Sequence, residues 1–151
     1  MTPGAQEPPT RVLHRVGSKE ELLRAKRVSV LLGGREVLVL HYRGRFHALD
    51  ARCYHSGGPL QEGDIEEIAG RLCIVCPWHK YKITLAEGEG LYQAADPKPG
   101  PWCSKGVKQR VHSITESGGD ILVALNDCVD SLDSDYYQSE RYRATLPSRS
   151  K

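Results

Sequence analysis

The chain alternates short apolar stretches of strand length with compact turns of glycine and charged residues, and no apolar stripe of helical period is long enough to organise a domain. Residues 11–16 alternate only loosely, but the stretch is short and stops at Gly17, which predicts a strand. Ser18-Lys19-Glu20-Glu21 carries both halves of a capping box and predicts a helix of one or two turns running to Ala25. Residues 28–32, 36–42 and 46–50 are rich in Val and Leu and are separated by Gly33-Gly34 and Arg43-Gly44. Such pairs are strong signals for two-residue hairpin turns, so the three segments predict a β-meander.

Further along, 65–68 and 72–75 read as a hairpin turning near Ala69-Gly70, and 81–85 as another short strand. Glu87 to Gly90 turns the chain toward Leu91-Tyr92. In Asp96-Pro97-Lys98-Pro99-Gly100-Pro101 each proline fixes its own φ and drives the preceding residue out of the helical region, so this stretch is a rigid extended loop. Residues 107–115 and 120–125, joined by Ser117-Gly118-Gly119, predict a closing hairpin. The expected architecture is all-β: an antiparallel sandwich or barrel base from 11–51 and 102–125, with a small β subdomain of about 52–101 inserted in it. Residues 1–10, rich in proline, read as a flexible N-terminus. Residues 126–151 pass from acidic to basic with few aliphatic side chains, which predicts a disordered tail.

Composition narrows the compartment and partners. A chain of 151 residues is about one domain. Its 21 basic and 19 acidic residues leave a formal charge of +2, too balanced to suggest nucleic-acid binding. The first residues have no apolar segment of the kind a leader needs, and the longest apolar run is broken at Gly33-Gly34-Arg35-Glu36, short of a membrane span. Five cysteines, an odd number, argue against a disulfide framework and for a reducing compartment, so a cytoplasmic protein is expected.

The candidate chemistry lies in two ligand pairs, Cys53-Tyr54-His55 and Cys76-Pro77-Trp78-His79, on either side of a twenty-residue excursion. Four such ligands suit tetrahedral zinc as well as iron–sulfur chemistry. The single residue between Cys53 and His55 is shorter than the usual zinc knuckle spacing. Cys73 reads as a small apolar residue in a buried strand, and Cys103 and Cys128 as free thiols in loop or tail context. His14, His41, His47 and His112 lack a cysteine or carboxylate at ligand spacing and read as structural.

Cys53-x-His55-x-Gly57 together with Cys76-Pro77-Trp78-His79, in a β context from about residue 11 to 125, resembles a Rieske iron–sulfur domain. Within that family the chain is most similar to soluble Rieske-type ferredoxins and to the stand-alone Rieske domain-containing proteins of vertebrates. The resemblance implies a Rieske fold and a [2Fe-2S] cluster in which Cys53 and Cys76 bind one iron and His55 and His79 the other. It implies histidines near the surface, whose free nitrogens gain protons more readily once the cluster is reduced. Trp78 reads as a shield for the cluster in preference to a partner-binding role, and the 96–101 loop resembles the family's proline loop that covers the cluster's third side. Respiratory members carry a disulfide between the two loops, where this chain has Gly58 and Trp78, and they supply hydroxyl donors shortly after the second histidine, where it has Lys80-Tyr81-Lys82. Fewer donors imply a reduction potential in the lower part of the family range.

The function so implied is a soluble one-electron carrier between a reductase and an oxygenase or other acceptor, an electron-transfer component with no catalysis of its own. The chain has no nicotinamide or flavin fingerprint, so the reductase is another protein. The rival readings are a cluster-based redox sensor and a Cys2His2 zinc module for protein interaction. Lys80 and Lys82 could steer an acidic partner, but Glu62, Asp64, Glu66 and Glu67 occupy the same unit and offset that field, so this reads as an ordinary solvated surface.

Overall fold

In the computed structural model, residues 12–95, 100–126 and 130–145 are described. The 1–10 stretch read as flexible lies outside them, as do Cys128 and the centre of the proline loop. Eleven strands carry the fold: β1 Leu13–Ser18, β2 Arg27–Leu32, β3 Arg35–Tyr42, β4 Arg45–Asp50, β5 Asp64–Ile68, β6 Arg71–Val75, β7 Lys82–Thr84, β8 Glu89–Gln93, β9 Trp102–Val107, β10 Val111–Ser117 and β11 Asp120–Ala124. Helix α1 spans Lys19–Ala25, and the capping box at its start is formed: the Glu21 amide donates to Ser18 Oγ and the Ser18 amide to Glu21 Oε1, both at 3.0 Å. No helix among the described residues is long and apolar enough to cross a membrane.

The all-β expectation holds. β2, β3 and β4 form the meander, and at both of its turns the two central residues have positive φ, +58° and +84° at Gly33-Gly34, +50° and +82° at Arg43-Gly44. That pair of left-handed residues matches the twist of the flanking strands. The base is one six-stranded antiparallel sheet in the order β1-β11-β10-β4-β3-β2, and the insert is a five-stranded sheet in the order β5-β6-β7-β8-β9.

Strand β9 departs from the sequence reading. Residues 107–115 are not one strand, and the return to the base does not begin at 102: Trp102–Val107 pairs with β8 in the inserted sheet, and the base resumes at Val111. The amides of Lys108 and Gln109 both donate to the Gly88 carbonyl, at 2.9 and 3.0 Å, which turns the chain between the sheets. Cys103 therefore sits in β9, opposite Tyr92, and not in a loop.

β3 explains how the two sheets share a core. Val37, Leu38, Val39 and Leu40 are all buried, as in a strand covered on both faces. Val37 and Val39 face a cluster with Leu22 of α1, Ile121 and Val123. Leu38 and Leu40 point the other way, into a cluster with Leu49, Leu60, Ile74, Ile83, Cys53 and Cys76. The second cluster lies between the sheets, and the two thiols form part of its wall.

The C-terminal segment corrects the expectation of a disordered tail over 130–145. A 3-10 turn at Asp133–Gln138 leads into the short helix α2, Glu140–Arg143, and both pack on the base. Composition misses this because the anchors are polar. Asp50, fully buried at the end of β4, accepts hydrogen bonds from Arg35 at 2.8 and 3.0 Å and from Ser134 Oγ at 2.8 Å, and pairs with His112 Nε2 at 2.9 Å. The Asn126 amide donates to His112 Nδ1, which leaves Nε2 as the donor toward Asp50. Arg110, its side chain only 4% exposed, forms a bidentate pair with Asp135 at 2.7 and 2.9 Å. The Gln138 amide brackets the Glu36 backbone, accepting at 2.8 Å and donating at 2.7 Å.

Burial alone would raise the Asp135 carboxyl, but hydrogen bonds from Arg110, the Leu132 amide and Arg35 outweigh it and hold the group down at about 2. A depressed carboxylate contributes stability above its unfolded pKa and loses it as pH falls through the folded value. Asp135→Asn is therefore expected to cost about 2 kcal/mol at pH 7. In urea titrations the gap from the parent protein should close between pH 4 and pH 2; a gap that persists at pH 2 contradicts the assignment.

Candidate metal centre

The two ligand loops leave the two sheets at one tip and share one backbone scheme. In each, the cysteine carbonyl accepts from the amide four residues on, Gly57 to Cys53 at 2.8 Å and Lys80 to Cys76 at 3.1 Å. In each, the cysteine amide donates to the carbonyl five residues on, Gly58 at 2.9 Å and Tyr81 at 2.8 Å. Such tight closure requires left-handed residues: Gly57 at φ +80° in the first loop, His79 and Lys80 at +66° and +60° in the second. The last two have side chains and carry a steric cost of the kind that collects at functional sites. Matching scaffolds explain how unequal spacings, one residue in one loop and two in the other, bring four ligands to one tip.

All four sequence candidates meet there. Cys53 and Cys76 are fully buried, while His55 is half-buried and His79 exposed. The imidazole centroids lie 5.0 Å apart and nearly perpendicular. The thiols adjoin, and each receives the amide two residues on, from His55 and from Trp78, at 3.4 Å. Burial drives the Cys53 thiol well above its ordinary pKa, opposed by the His55 and Ser56 amides and reinforced by Cys76. Burial and the neighbouring His79 and Lys105 lower the His55 imidazole. Among the described residues no three His, Cys, Asp or Glu side chains gather as around a single ion; the candidate ligands form a buried thiol pair and an imidazole pair nearer the surface.

His55 Nδ1 and Ser56 Oγ are buried without a hydrogen-bond partner. An unpaired buried ring nitrogen is costly, and a metal is one of the few groups that satisfies it without a proton. A β-carbon at Gly58 would stand 2.5 Å from Cys76 Sγ and 3.2 Å from the Trp78 ring, so this position has room for hydrogen only. The residues present thus fit a group bonded to two thiolates and two neutral imidazoles.

Several residues that position the site carry no sequence signal. Tyr81 stacks on His55 with centroids 3.6 Å apart and planes 9° from parallel, while Nζ of Lys105, on β9, lies 4.5 Å from the Tyr81 centroid. Gln109 is fully buried: its Oε1 accepts the Tyr54 amide at 2.8 Å, and its Nε2 donates to the carbonyls of Asp50 and Arg52 at 3.0 and 2.7 Å. It belongs to the linker between β9 and β10, where neither periodicity nor spacing distinguishes it. Tyr137 donates to the His55 carbonyl at 3.2 Å. Trp78 covers Gly58 from its exposed position. A groove of about 280 Å³ beside His79 is lined by Lys80, Lys82, Trp102 and Lys105. Residues 96–99 of the proline loop lie outside the described residues; its ends are tied by the Gly100 amide to Ala94 and the Ala94 amide to Pro101, both at 2.9 Å. Cys73 is buried in β6, and burial pushes its thiol up to about 11. Of the remaining histidines, His112 is the internal partner of Asp50, and His41 packs on Phe46.

An antiparallel base with an inserted sheet, presenting two Cys/His loops at a common tip, defines a class of all-β domains built to hold a metal group between those loops. The chain belongs to the family of soluble Rieske-type ferredoxins, whose pattern matches residues 14–128. It is 48% identical over 137 residues to a human Rieske domain-containing protein, covering 88% of this chain and 87% of that one. It is 33% identical over 63 residues to the ferredoxin component of the alkene monooxygenase system of Xanthobacter autotrophicus, which covers 42% of this chain and 49% of the relative. The ferredoxin of carbazole 1,9a-dioxygenase from Nocardioides aromaticivorans superposes with a TM-score of 0.54 at 25% identity, over 78% of this chain and 99% of that one. Membership in the family implies electron transfer and a [2Fe-2S] cluster.

Gln109 provides a test of the site's internal support. Gln109→Leu fills the same space but strands the Tyr54 amide and two carbonyls, and is expected to cost about 2–4 kcal/mol. Denaturant unfolding of the cluster-free protein measures this; a loss under about 0.5 kcal/mol, within the range of ordinary surface changes, rules the bridge out as a support.

Proposed function

We propose that Cys53 and Cys76 hold one iron of a Rieske-type [2Fe-2S] cluster, that His55 and His79 hold the other, and that the chain is a one-electron carrier between a reductase and an oxygenase or other acceptor protein. The observation that carries this reading is a buried thiol pair at the same tip as an imidazole pair nearer the surface, with His55 Nδ1 buried and without a hydrogen-bond partner. When bound, such a cluster supplies reversible one-electron transfer with the extra electron on the histidine-ligated iron. The residues of this chain supply the setting. The apolar cluster around Cys53 and Cys76 keeps water from the thiolates, and two backbone amides donate to them. Tyr81 fixes the His55 ring plane, and the exposed His79 brings the redox-active edge to the surface where a partner protein can reach it. The family supports a carrier role, and the ferredoxin components among its relatives support partners of the reductase and oxygenase kind.

The absorption spectrum decides the cofactor. Protein purified without oxygen is expected to be red-brown, to hold about two irons per chain and to bleach with dithionite. Cys53→Ala and His79→Ala are each expected to abolish the colour. A colourless protein with one zinc per chain overturns the proposal.

The potential follows from the donors. Tyr81, close behind the second ligand histidine, stacks on His55, and the hydrogen bonds seen at the two thiols come from backbone amides. The midpoint potential is therefore expected in the lower part of the roughly −150 to +300 mV Rieske range. A redox titration with a midpoint in the upper half of that range contradicts it.

A further inference from the structure

Residues 130–145 lie beyond the stretch that the family pattern matches, yet they touch the first ligand loop at His55 and Gly57. We infer that Tyr137 and Tyr142 are positioning residues that hold the Cys53–Gly58 loop closed against the base. The inference rests on the reading of that loop as the carrier of a cluster.

Three contacts converge on the loop. The Tyr137 hydroxyl donates to the carbonyl of His55 itself, at 3.2 Å. Gly57 is buried directly under both rings: a β-carbon there would lie 2.7 Å from the Tyr142 hydroxyl and 2.8 Å from the Tyr137 ring. Arg52 joins the two sides, donating to the Gly57 carbonyl at 3.2 Å while its guanidinium lies 5.7 Å from the Tyr142 centroid. The tyrosines brace one another, with Tyr137 and Tyr142 centroids 4.8 Å apart and Tyr136 edge-on to both.

The segment that carries them is fixed independently of the loop. Ser134 is bound to Asp50, Asp135 to Arg110 and Arg35, and Gln138 to the Glu36 backbone, all on the base sheet. Arg143 adds a bond to the Gly34 carbonyl at 2.8 Å. The tyrosines are thus held by the rigid base and press on a loop whose other supports are its own turn hydrogen bonds, Gln109, Arg52 and the Tyr81 stack on His55. At Gly58 and Trp78 the loops meet only through packing, so closure of the first loop falls to non-covalent contacts. Opening that loop would uncover Cys53 and release His55, and a strap that resists opening slows loss of whatever the loop holds.

Hydrogen exchange with and without cofactor tests this. The double variant Tyr137→Leu/Tyr142→Leu leaves the Ser134, Asp135 and Gln138 anchors intact. It is expected to speed amide exchange over residues 54–58 at least tenfold while β3 and β10 stay protected, and to shorten the lifetime of the visible absorption in air at least threefold. The Tyr137→Phe/Tyr142→Phe protein keeps both rings and is expected to recover most of the protection. Tyr137→Phe alone, which removes a single hydroxyl and leaves the fold intact, is expected to give a smaller rise at residues 55–57, without a change in the denaturation midpoint. Unchanged exchange over 54–58 in the double variant overturns the inference, whether or not residues 133–138 remain protected. Faster exchange that only follows a fall in global stability also overturns it. If the protein carries zinc or no metal, the proposed function fails, but the exchange of the cluster-free loop still decides whether the strap exists.

Discussion

The buried carboxylate of Asp50 is the constraint on which the rest of the structure depends. It closes β4 three residues before Cys53, and a fully desolvated charge there must be met from every side or the fold loses several kcal/mol. Arg35 meets it from β3, His112 from β10 and Ser134 from the C-terminal segment. Its own carbonyl accepts from Gln109, which in turn holds the Tyr54 amide of the first ligand loop. One polar hub thus ties the base sheet, the segment after it and the entry to the candidate metal centre into a single network.

The apolar part of the structure has a different task. β3 is buried on both faces, so one side of it makes the core of the base and the other a shared core with the inserted sheet, ending at the two thiols. In that environment burial drives the Cys53 thiol well above its ordinary pKa, while the imidazoles at the rim stay in reach of water and of a partner. The candidate inner and outer ligands are therefore unequal in access, the thiols enclosed and the imidazoles nearer the surface.

Support for the two loops is also unequal. The second loop holds itself in a left-handed path through His79 and Lys80, and its cysteine is part of the shared core. The first is braced from outside by Gln109, Tyr81, Arg52 and the tyrosines of the C-terminal segment. These braces come from four separate places in the chain, and none lies at ligand spacing.

What the sequence by itself determined was everything set by local rules. Short apolar runs bounded by turns marked most of the strands, glycine-bearing pairs marked the hairpin turns because only certain residues accept a left-handed backbone, Ser18 and Glu21 marked the helix start, and the spacing of Cys53, His55, Cys76 and His79 marked the candidate ligands. Only the tertiary structure decided that Trp102–Val107 joins the inserted sheet, that residues 130–145 fold on the base, and that Tyr81, Gln109 and Tyr137 converge on the His55 loop. The physical reason is that a strand edge, a stacked ring or a buried polar side chain is specified by a partner far away in the chain, and neither composition nor periodicity registers such a partner until folding brings the two together.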